Sequence, residues 1–203
     1  MVLIRHGQSE ANARRILQGH MDSPLTEEGR FQARNIAQRM RNAGCSFDYI
    51  YSSDLSRATE TTEIIVKVIK ANRILYTPLI REFDLGIMVG KSVDKMNSQD
   101  RELLDKIWSN PSQRIPNGES LDLFIYRLRT FLHLIENTNP TPSSVLVVSH
   151  GGVIYNLLKY LIQGLPEMDE WFKNCEINEI VRPPKSKTWK LIVFNGKRIS
   201  DNS

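Results

Sequence analysis

Short apolar runs of strand length recur along this chain, and longer segments with helical spacing separate them. Four of these runs are residues 1–4, 48–52, 73–77 and 145–149. Short runs of apolar, β-branched or aromatic residues favour buried strands, and strands that alternate with helices favour a parallel sheet. The pattern therefore predicts an α/β fold with a largely parallel central sheet.

Helical spacing is clearest in residues 119–136. Apolar residues recur there every three or four positions: Leu121, Phe124, Ile125, Leu128, Phe131, Leu132 and Ile135. We expect these residues to pack in the core rather than to bind a cofactor. Another helix is predicted over residues 26–43, with Thr26 as its N-cap. Further helices are predicted over residues 55–70 and 152–162.

The remaining segments complete the predicted fold. Residues 79–118 are less regular and contain a predicted polar helix near 98–108. Residues 175–181 and 188–194 alternate in strand fashion and predict an antiparallel hairpin at the sheet edge. The expected architecture is a three-layer α/β/α sandwich, with a mostly parallel central sheet and helices on both faces.

Length and composition narrow the class of protein. A chain of 203 residues, 40% hydrophobic and 25% charged, suits a globular protein. We expect a single domain over residues 1–203, with an insertion near 86–118 over the site. The net charge of +4, from 27 basic and 23 acidic residues, is compatible with an anionic substrate. No Lys/Arg stripe indicates nucleic-acid binding, and no apolar stretch approaches the ~20 residues that span a bilayer.

The cysteines and the N-terminus bear on the cellular compartment. Cys45 and Cys175 show neither a CxxC spacing nor a His/Cys cluster typical of zinc sites. The sequence leaves a disulfide open, and a reduced intracellular protein is our expectation. No secretory signal pattern is visible, so we expect a cytoplasmic location, with a natural N-terminus that extends beyond Met1.

Two of the strand-like runs end in a histidine that a glycine follows. Residues 3–8 are Leu-Ile-Arg-His-Gly-Gln, and residues 145–152 are Val-Leu-Val-Val-Ser-His-Gly-Gly. In open α/β sheets, ligands bind at the carboxyl ends of the strands. We therefore expect His6 and His150 in one site, beside Arg5. Because a guanidinium offers a fork of donors to phosphoryl oxygens, the predicted ligand is a phosphate group.

An imidazole at such a strand end is suited to phosphoryl transfer. With an ordinary pKa near ~6.5, a histidine is largely neutral at pH 7, so His6 is a candidate nucleophile. His150 precedes a helix whose free N–H groups favour an anion, and a protonated His150 would stabilise charge on the phosphoryl oxygens. The alternative for each is a structural histidine bonded to the backbone.

Three further side chains lie near predicted strand ends. Arg57 is either a second guanidinium of the site or a solvent-exposed helix arginine. Glu82 and Asp84 follow the third strand, and either could protonate a leaving oxygen. Their spacing does not decide between them. The chain has no P-loop motif and no set of carboxylates typical of a metal site, although two histidines and a carboxylate leave a transition-metal site as an alternative.

Six short blocks, taken in order, resemble the histidine phosphatase superfamily, also called the phosphoglycerate mutase-like family. The blocks are Arg-His-Gly-Gln-Ser-Glu-Ala-Asn at 5–12, Gln-Gly-His-Met-Asp-Ser-Pro-Leu-Thr at 18–26, Tyr-Ser-Ser-Asp-Leu-Ser-Arg-Ala at 51–58, Arg-Glu at 81–82, Asn-Gly-Glu-Ser at 117–120 and Val-Ser-His-Gly-Gly at 148–152. The ordered series is specific, whereas Arg-His-Gly alone is not.

This resemblance implies a role for each candidate residue. His6 is the phosphorylated nucleophile, His150 is the second histidine of the pocket, and Glu82 rather than Asp84 is the proton donor. The other implied residues clamp the phosphoryl group or lie near the ligand: Arg5, Arg57, Asn12, Gln18, Gly19 and the backbone N–H of Gly151. The family chemistry implies neither a metal ion nor a cofactor.

Departures from the family pattern bear on the reaction. Many family phosphatases have Trp-Glu-Gly where this chain has Met-Val-Gly at 88–90, which puts the substrate-side contacts in question. The family's mutases have a Tyr-Gly pair after the acid and paired arginines in a larger insertion, whereas this chain has Phe-Asp-Leu-Gly at 83–86. The resemblance therefore favours a phosphomonoester hydrolase.

The substrates expected of such a hydrolase are small phosphometabolites such as phosphoglycerates, sugar phosphates or nucleotides. The alternatives are a phosphoprotein substrate, mutase-type transfer of the phosphoryl group, and a catalytically weak module that only binds phosphate. Neither a nucleic acid nor a membrane is an expected partner, and a homodimer is the assembly to test.

Overall fold

A computed structural model describes residues 1–138, 143–162, 165, 170–183, 186 and 188–199. Within these residues, seven strands form one sheet in the order β3-β2-β4-β1-β5-β6-β7. The strands are β1 (Val2–Arg5), β2 (Phe47–Ser53), β3 (Ala71–Thr77), β4 (Val145–Ser149), β5 (Ile177–Val181), β6 (Lys190–Phe194) and β7 (Lys197–Arg198). All six predicted strands are present, and only the two-residue β7 was not predicted.

The helices of the described residues are α1 (Glu10–Ala13), α2 (Glu27–Asn42), α3 (Ser56–Val66), α4 (Ser98–Ser109), α5 (Leu121–Thr138) and α6 (Gly151–Leu161). Thr26 caps α2 as predicted, because its side chain accepts a hydrogen bond from the Gly29 N–H. The short α1 was not predicted. The prediction for residues 55–70 was too long, since α3 ends at Val66, after a run of β-branched residues that lose rotamer freedom in a helix.

The sheet is mixed rather than mostly parallel, so that part of the prediction was wrong. β1 pairs in parallel with β4, and β2 pairs in parallel with both β4 and β3. On the other side of β1, β5 pairs with it in antiparallel fashion. β6 then pairs antiparallel with β5, and β7 pairs antiparallel with β6. Among the described residues between β5 and β7 there is no crossover helix, which a parallel return needs. The predicted edge hairpin, β5 and β6, is confirmed, and β7 extends the sheet by one more strand.

Helices cover both faces of the sheet, which confirms the layered α/β architecture. Side chains of a strand alternate between its faces, so Leu3 and Val147 pack with α5 and α6, whereas Ile4 and Val148 pack with α2 and α3. All of these strand residues are fully buried. Burial of each such side chain stabilises the fold by about 1.5–3 kcal/mol. The same two strands thus pack against the helices on both faces.

Strand register places the candidate residues at one edge of the sheet. Arg5 lies opposite Ser149 in the parallel ladder of β1 and β4, so His6 and His150 leave adjacent strands at the same level. The N–H of His6 donates to the Ser149 carbonyl at 2.9 Å and extends the ladder by one residue. β2 and β3 end at this edge as well, with Ser53 paired to Thr77.

The loop after β1 is held against the first turn of α2 by two glycines. A Cβ on Gly29 would lie 2.1 Å from the Gln8 carbonyl oxygen, and one on Gly7 would lie 2.4 Å from the Gly29 carbonyl oxygen. Real Cβ atoms do not approach backbone this closely, so neither position has room for a side chain. The contact fixes the chain directly after His6.

This contact predicts that Gly29→Ala destabilises the protein, although alanine is the better helix former. Helix propensity alone would raise the free energy of unfolding by ~0.5–1 kcal/mol. The clash with Gln8 should reverse the sign and lower it by about 1–3 kcal/mol. Urea unfolding would measure the change, with Asn35→Ala, at an exposed position of α2, as the control. A Gly29→Ala variant at least as stable as wild type would contradict the close contact.

Candidate active site

His6 is held in a single tautomer by its neighbours. The ring is 2% exposed, and its Nδ1 lies 2.7 Å from the Gly7 carbonyl oxygen. A carbonyl can only accept, so Nδ1 carries the proton and Nε2 carries the lone pair. The Arg57 Nε–H donates to this Nε2 at 3.2 Å. The lone pair of Nε2 therefore accepts a hydrogen bond from a guanidinium, and Nε2 can attack a bound anion once that N–H turns to the anion.

His150 lies beside His6, behind the same strand edge. The two ring centroids are 5.1 Å apart at an angle of 62°. The Nε2 of His150 forms a 2.8 Å hydrogen bond with the Ser53 hydroxyl, whereas its Nδ1 is buried without a partner. The predicted juxtaposition of the two histidines is thus present, and Ser53 is a site neighbour that sequence analysis did not single out.

Burial and neighbouring charges lower the pKa of both imidazoles, which favours their neutral forms. Burial lowers the pKa of His6 well below its usual 6.5, and the charges of Arg57 and Arg5 lower it further. Burial likewise lowers the pKa of His150 well below 6.5, with added repulsion from Arg57, His6 and Arg5. A neutral His6 is the form that the predicted nucleophile requires. The lowered pKa of His150 disfavours the protonated form expected from the sequence.

Two buried guanidinium groups supply the positive charge of the site. Arg57 is 1% exposed and donates to the carbonyl oxygens of Gly19 at 2.9 Å and Met21 at 3.0 Å. Burial lowers the pKa of Arg57 to about 10, which still leaves it charged at neutral pH. Arg5 donates to the Phe172 carbonyl at 2.8 Å, and its Nε is buried without a partner. The sequence alone gave only weak support for Arg57, because its helix position is also typical of a solvated arginine.

Glu82 meets the amino-terminal end of α6. Its carboxylate accepts the Gly152 N–H at 3.1 Å and the Phe83 N–H at 2.9 Å. A Cβ on Gly152 would lie 2.4 Å from Glu82 Oε1, so the glycine makes room for this carboxylate. The free N–H groups at a helix start favour an anion, and here a protein carboxylate occupies one of them.

Arg127 of α5 holds the segment that carries Glu82. Its guanidinium donates to the backbone carbonyls of Leu79, Arg81 and Glu82 at 2.6–3.0 Å. It also pairs with Glu119 at 2.7 Å, and Glu119 accepts the Asp84 N–H at 2.8 Å. Sequence analysis missed Arg127, because within an amphipathic helix a lone arginine has no distinguishing pattern.

Asp84, the competing acid, has a different environment. Its carboxylate accepts the Gly86 N–H at 3.1 Å and lies 3.7 Å from Nδ1 of His20. The Nε2 of His20 lies 2.8 Å from the Glu82 carbonyl oxygen, so this nitrogen carries the proton. A cavity opens at this edge of the sheet, and Glu82 lines it whereas Asp84 does not. His20 belongs to one of the quoted sequence blocks, but no role was predicted for it.

Asn12 and Gln18 face the cavity through the loop after β1. The Ser9 hydroxyl donates to Gln18 Oε1 at 2.8 Å, and the Asn12 side-chain oxygen accepts the Ser9 N–H at 3.3 Å. Both amide oxygens are thus used within the loop, which leaves the amide N–H groups as donors toward a ligand. Gly19 also lines the cavity. Gly151 does not line it and is buried against the Trp171 indole, whereas its neighbour Gly152 lines the cavity.

A cavity of about 970 Å³ opens at this edge of the sheet. Its phosphate-binding end, as we name it, contains Arg5, His6, Asn12, Gln18, Arg57 and Glu82. Beyond that end the lining is mostly apolar: Ile16, Leu17, Phe83, Leu85, Val93, Leu104, Trp108, Leu121, Phe124, Tyr155 and Trp171. Val89 does not line the cavity, and Met88 is buried in the core, so the substrate-side contacts lie elsewhere.

The described residues contain neither a group of side chains typical of a metal site nor a membrane-spanning helix. Across the described ranges, no three His, Cys, Asp or Glu side chains are grouped so as to hold a metal ion. In the same part of the chain, every helix is too short or too polar to cross a membrane.

The sequence of this chain matches a known protein family and individual proteins. A family model described as Histidine phosphatase superfamily (branch 1) matches residues 1–195. A probable phosphoglycerate mutase GpmB of Photorhabdus laumondii is 40% identical over 182 residues, covering 88% of this chain and 82% of the relative. The family match thus extends over nearly the whole chain.

Solved structures share the fold. The alpha-ribazole phosphatase from Shigella flexneri has a TM-score of 0.79 and 26% identity, covering 100% of this chain and 98% of that one. A mycobacterial glucosyl-3-phosphoglycerate phosphatase has a TM-score of 0.78 and 24% identity, covering 97% of this chain and 99% of that one. At this lower identity, the likeness shows the fold alone.

The depressed pKa values predict how stability depends on pH. Below pH 6.5 the unfolded chain protonates His150, whereas the folded protein does not, so stability is lost as the pH falls through this window. Between pH 6.5 and 5.5 this residue should lower the free energy of unfolding by about 1 kcal/mol. His150→Gln removes this contribution, so its stability should fall less with pH than that of wild type.

Urea unfolding at both pH values, in a buffer free of phosphate, measures this difference. His133→Gln is the matched control, because His133 is exposed on α5 far from the site in sequence. It should keep the pH dependence of wild type. Parallel pH dependences in wild type and His150→Gln would contradict a neutral, buried His150.

Proposed function

The chain belongs to the histidine phosphatase superfamily (branch 1), as its motifs predict, and on this premise we propose that it hydrolyses phosphomonoesters through a phosphohistidine at His6. The observation that carries the proposal is the state of His6. Its Nε2 carries the lone pair of the ring and accepts a hydrogen bond from Arg57, and the side chain lines the cavity. An anion that takes over this Arg57 N–H would free the lone pair for attack. We propose low-molecular-weight phosphomonoesters as substrates and a reaction that needs neither metal ion nor cofactor.

In the first step, Nε2 of His6 attacks phosphorus and forms the N–P bond. The bond from phosphorus to the leaving oxygen breaks, and that oxygen takes its electron pair and a proton from protonated Glu82. Positive charge develops on the imidazole. The Gly7 carbonyl, 2.7 Å from Nδ1, stabilises this charge because a hydrogen bond from a cation is stronger than one from a neutral ring.

In the second step, water attacks the phosphohistidine. The Glu82 carboxylate takes a proton from the water, the N–P bond breaks, and its electron pair returns to Nε2. Inorganic phosphate leaves, and Glu82 is protonated again for the next cycle. The backbone N–H groups of Phe83 and Gly152 keep this carboxylate in place for both proton transfers.

Two unpartnered nitrogens support phosphate binding at this site. Arg5 Nε and His150 Nδ1 are the buried side-chain nitrogens that lack a hydrogen bond within the described residues. Buried polar atoms are rarely left unpaired, because each costs about 1–3 kcal/mol. Phosphoryl oxygens would satisfy both atoms. A dianionic ligand would also favour the protonated form of His150, so we propose that this proton is taken up with the substrate.

A second candidate function is mutase-type transfer, because the relative from Photorhabdus laumondii has the name of a probable phosphoglycerate mutase. Transfer between glycerate hydroxyls requires a partner for the glycerate carboxylate. Outside the phosphate-binding end, the cations that line the cavity are Arg15 and Lys159. Arg15 already pairs with Asp94 at 2.8 Å. The cavity therefore favours hydrolysis over transfer.

The nucleophile is tested by His6→Ala. This variant should lose at least ~10³-fold in kcat for an aryl phosphate, or about 4 kcal/mol of transition-state stabilisation. With a ³²P-labelled ester, wild type should trap a protein-bound phosphate that is labile in acid and stable in base, and His6→Ala should not. His133→Ala, at the exposed α5 position, is the control. Turnover retained in His6→Ala would remove His6 from the mechanism.

The choice between hydrolysis and transfer is tested with 3-phosphoglycerate and a bisphosphoglycerate primer. Phosphorus NMR follows the 2-phosphoglycerate and the inorganic phosphate formed from the same sample. We expect phosphate release to exceed isomer formation, because the cavity offers little to hold the glycerate for the return transfer. Isomer formed faster than phosphate would establish the mutase instead.

A further inference from the structure

We propose that the natural leaving group is a bulky, largely apolar alcohol that carries an aromatic or similarly flat ring system. This inference rests on the proposed hydrolysis at His6 and concerns the part of the substrate that is not phosphate. The cavity of about 970 Å³ lies near the upper end of the range of about 300–1,000 Å³ that is usual for ligand pockets. A three-carbon phosphate ester would leave most of it filled with water.

Polarity divides the cavity into two parts. Most of the charged and amide groups gather at the phosphate-binding end, and side chains from several other segments line the remainder with hydrocarbon and aromatic rings. Apolar walls with a few polar groups at one end are typical of sites that bind a mainly apolar molecule by its polar tip. The phosphate is that tip.

The aromatic side chains form two walls on separate elements. The first wall is Phe83, Trp108 and Phe124, with ring centroids 5.7 Å apart for Phe83 and Trp108 and 5.4 Å apart for Phe83 and Phe124. The second wall is Tyr155 and Trp171, whose centroids are 5.8 Å apart at an angle of 32°. Aromatic rings favour offset or edge contacts with other rings, so both walls suit a flat guest.

The two tryptophans retain much of their surface in the unliganded protein. Trp108 is 54% exposed and Trp171 is 55% exposed, although both line the cavity. The backbone of Trp171 is held in place, because its carbonyl accepts a 3.0 Å hydrogen bond from the Asn195 side chain. Large exposed apolar groups gathered around one cavity mark a binding site more often than chance exposure does. A ring system in the cavity would cover them.

The charges around the outer cavity argue against a short, acidic leaving group. The Nε–H of Arg15 is shared between the two carboxylate oxygens of Asp94, at 2.9 and 2.8 Å. Lys159 lies 5.9 Å from the centroid of the Tyr155 ring and is exposed. A single exposed lysine gives a carboxylate little binding energy, because water screens it. The outer cavity therefore discriminates by apolar contact rather than by charge.

The test compares 2-naphthylmethyl phosphate with propyl phosphate. Both esters release a primary alcohol of similar basicity, so the difference between them reports contacts of the leaving group rather than its chemistry. We expect kcat/KM to be about 100-fold higher for 2-naphthylmethyl phosphate, because the ring system buries far more apolar surface. Equal values for the two esters would overturn the proposal.

Variants locate the preference in the cavity. Trp108→Ala and Tyr155→Ala, one from each wall, should each lower kcat/KM for 2-naphthylmethyl phosphate about tenfold more than for propyl phosphate. Tyr160→Ala is the matched control: Tyr160 is on the same helix as Tyr155 and is 55% exposed, but it lies outside the cavity. It should keep the wild-type ratio. Equal losses for both esters in the wall variants would contradict the assignment.

Binding of a non-hydrolysable analogue separates this inference from the proposed function. His6→Ala with 2-naphthylmethylphosphonate should show saturable quenching of tryptophan fluorescence, and the Trp108→Ala background should weaken it. Such binding, with no turnover of either ester by wild type, would refute the hydrolysis and support the ligand class. Turnover of both esters with equal efficiency and no binding of the phosphonate would refute the ligand class and leave hydrolysis standing.

Discussion

The parallel register of β1 and β4 is the constraint on which the site depends. With Arg5 opposite Ser149, two buried imidazoles leave neighbouring strands with their ring centroids 5.1 Å apart. Burial and the charges of Arg5 and Arg57 lower the pKa of both rings, which favours their neutral forms. The site therefore combines two guanidinium groups with two uncharged imidazoles, an imbalance toward positive charge. A phosphoryl dianion is the ligand that this imbalance favours.

Hydrogen bonds to other groups hold the Glu82 carboxylate away from Arg5 and Arg57. A flexible carboxylate beside two guanidinium groups would pair with them and block the anion site. Here the N–H of Gly152 and the N–H of Phe83 bind the carboxylate, and Arg127 fixes the backbone that carries it. We propose that Arg127 is a positioning residue, which acts from α5 through the backbone of the segment that carries Glu82. Preorganisation of this kind would hold the proposed proton donor in place through both steps.

Sequence pattern predicted the parts of the site whose signal is local. A strand followed by His-Gly is a local pattern, so the sequence predicted that His6 and His150 lie together, and the ordered motifs favoured Arg57 and chose Glu82 over Asp84. The contacts that sequence analysis missed join residues far apart in the chain: Arg127 with the backbone at Glu82, and Trp171 with Gly151. No period or spacing records such packing. The edge hairpin was predicted, but its antiparallel pairing with β1 was not, because the direction of β5 relative to β1 depends on how a distant connection crosses the sheet, and strand propensity does not encode it.

Chemistry and selectivity depend on different parts of this fold. Strand ends, which register fixes, carry the proposed phosphoryl chemistry, whereas the ring-bearing walls come from the segment after β3, which holds Phe83, and from α4, α5, α6 and the segment before β5. Changes in the walls do not alter the register of β1 and β4, so the same phosphate-binding end can serve transfer or hydrolysis according to what the walls hold. This explains how relatives with the names of a mutase and of phosphatases share one architecture. For this chain the walls are apolar and aromatic, and the cations beyond the phosphate-binding end are Arg15, which pairs with Asp94, and the exposed Lys159. These groups offer little to hold a glycerate for the return of the phosphoryl group, so the composition of the walls is an argument for the proposed hydrolysis.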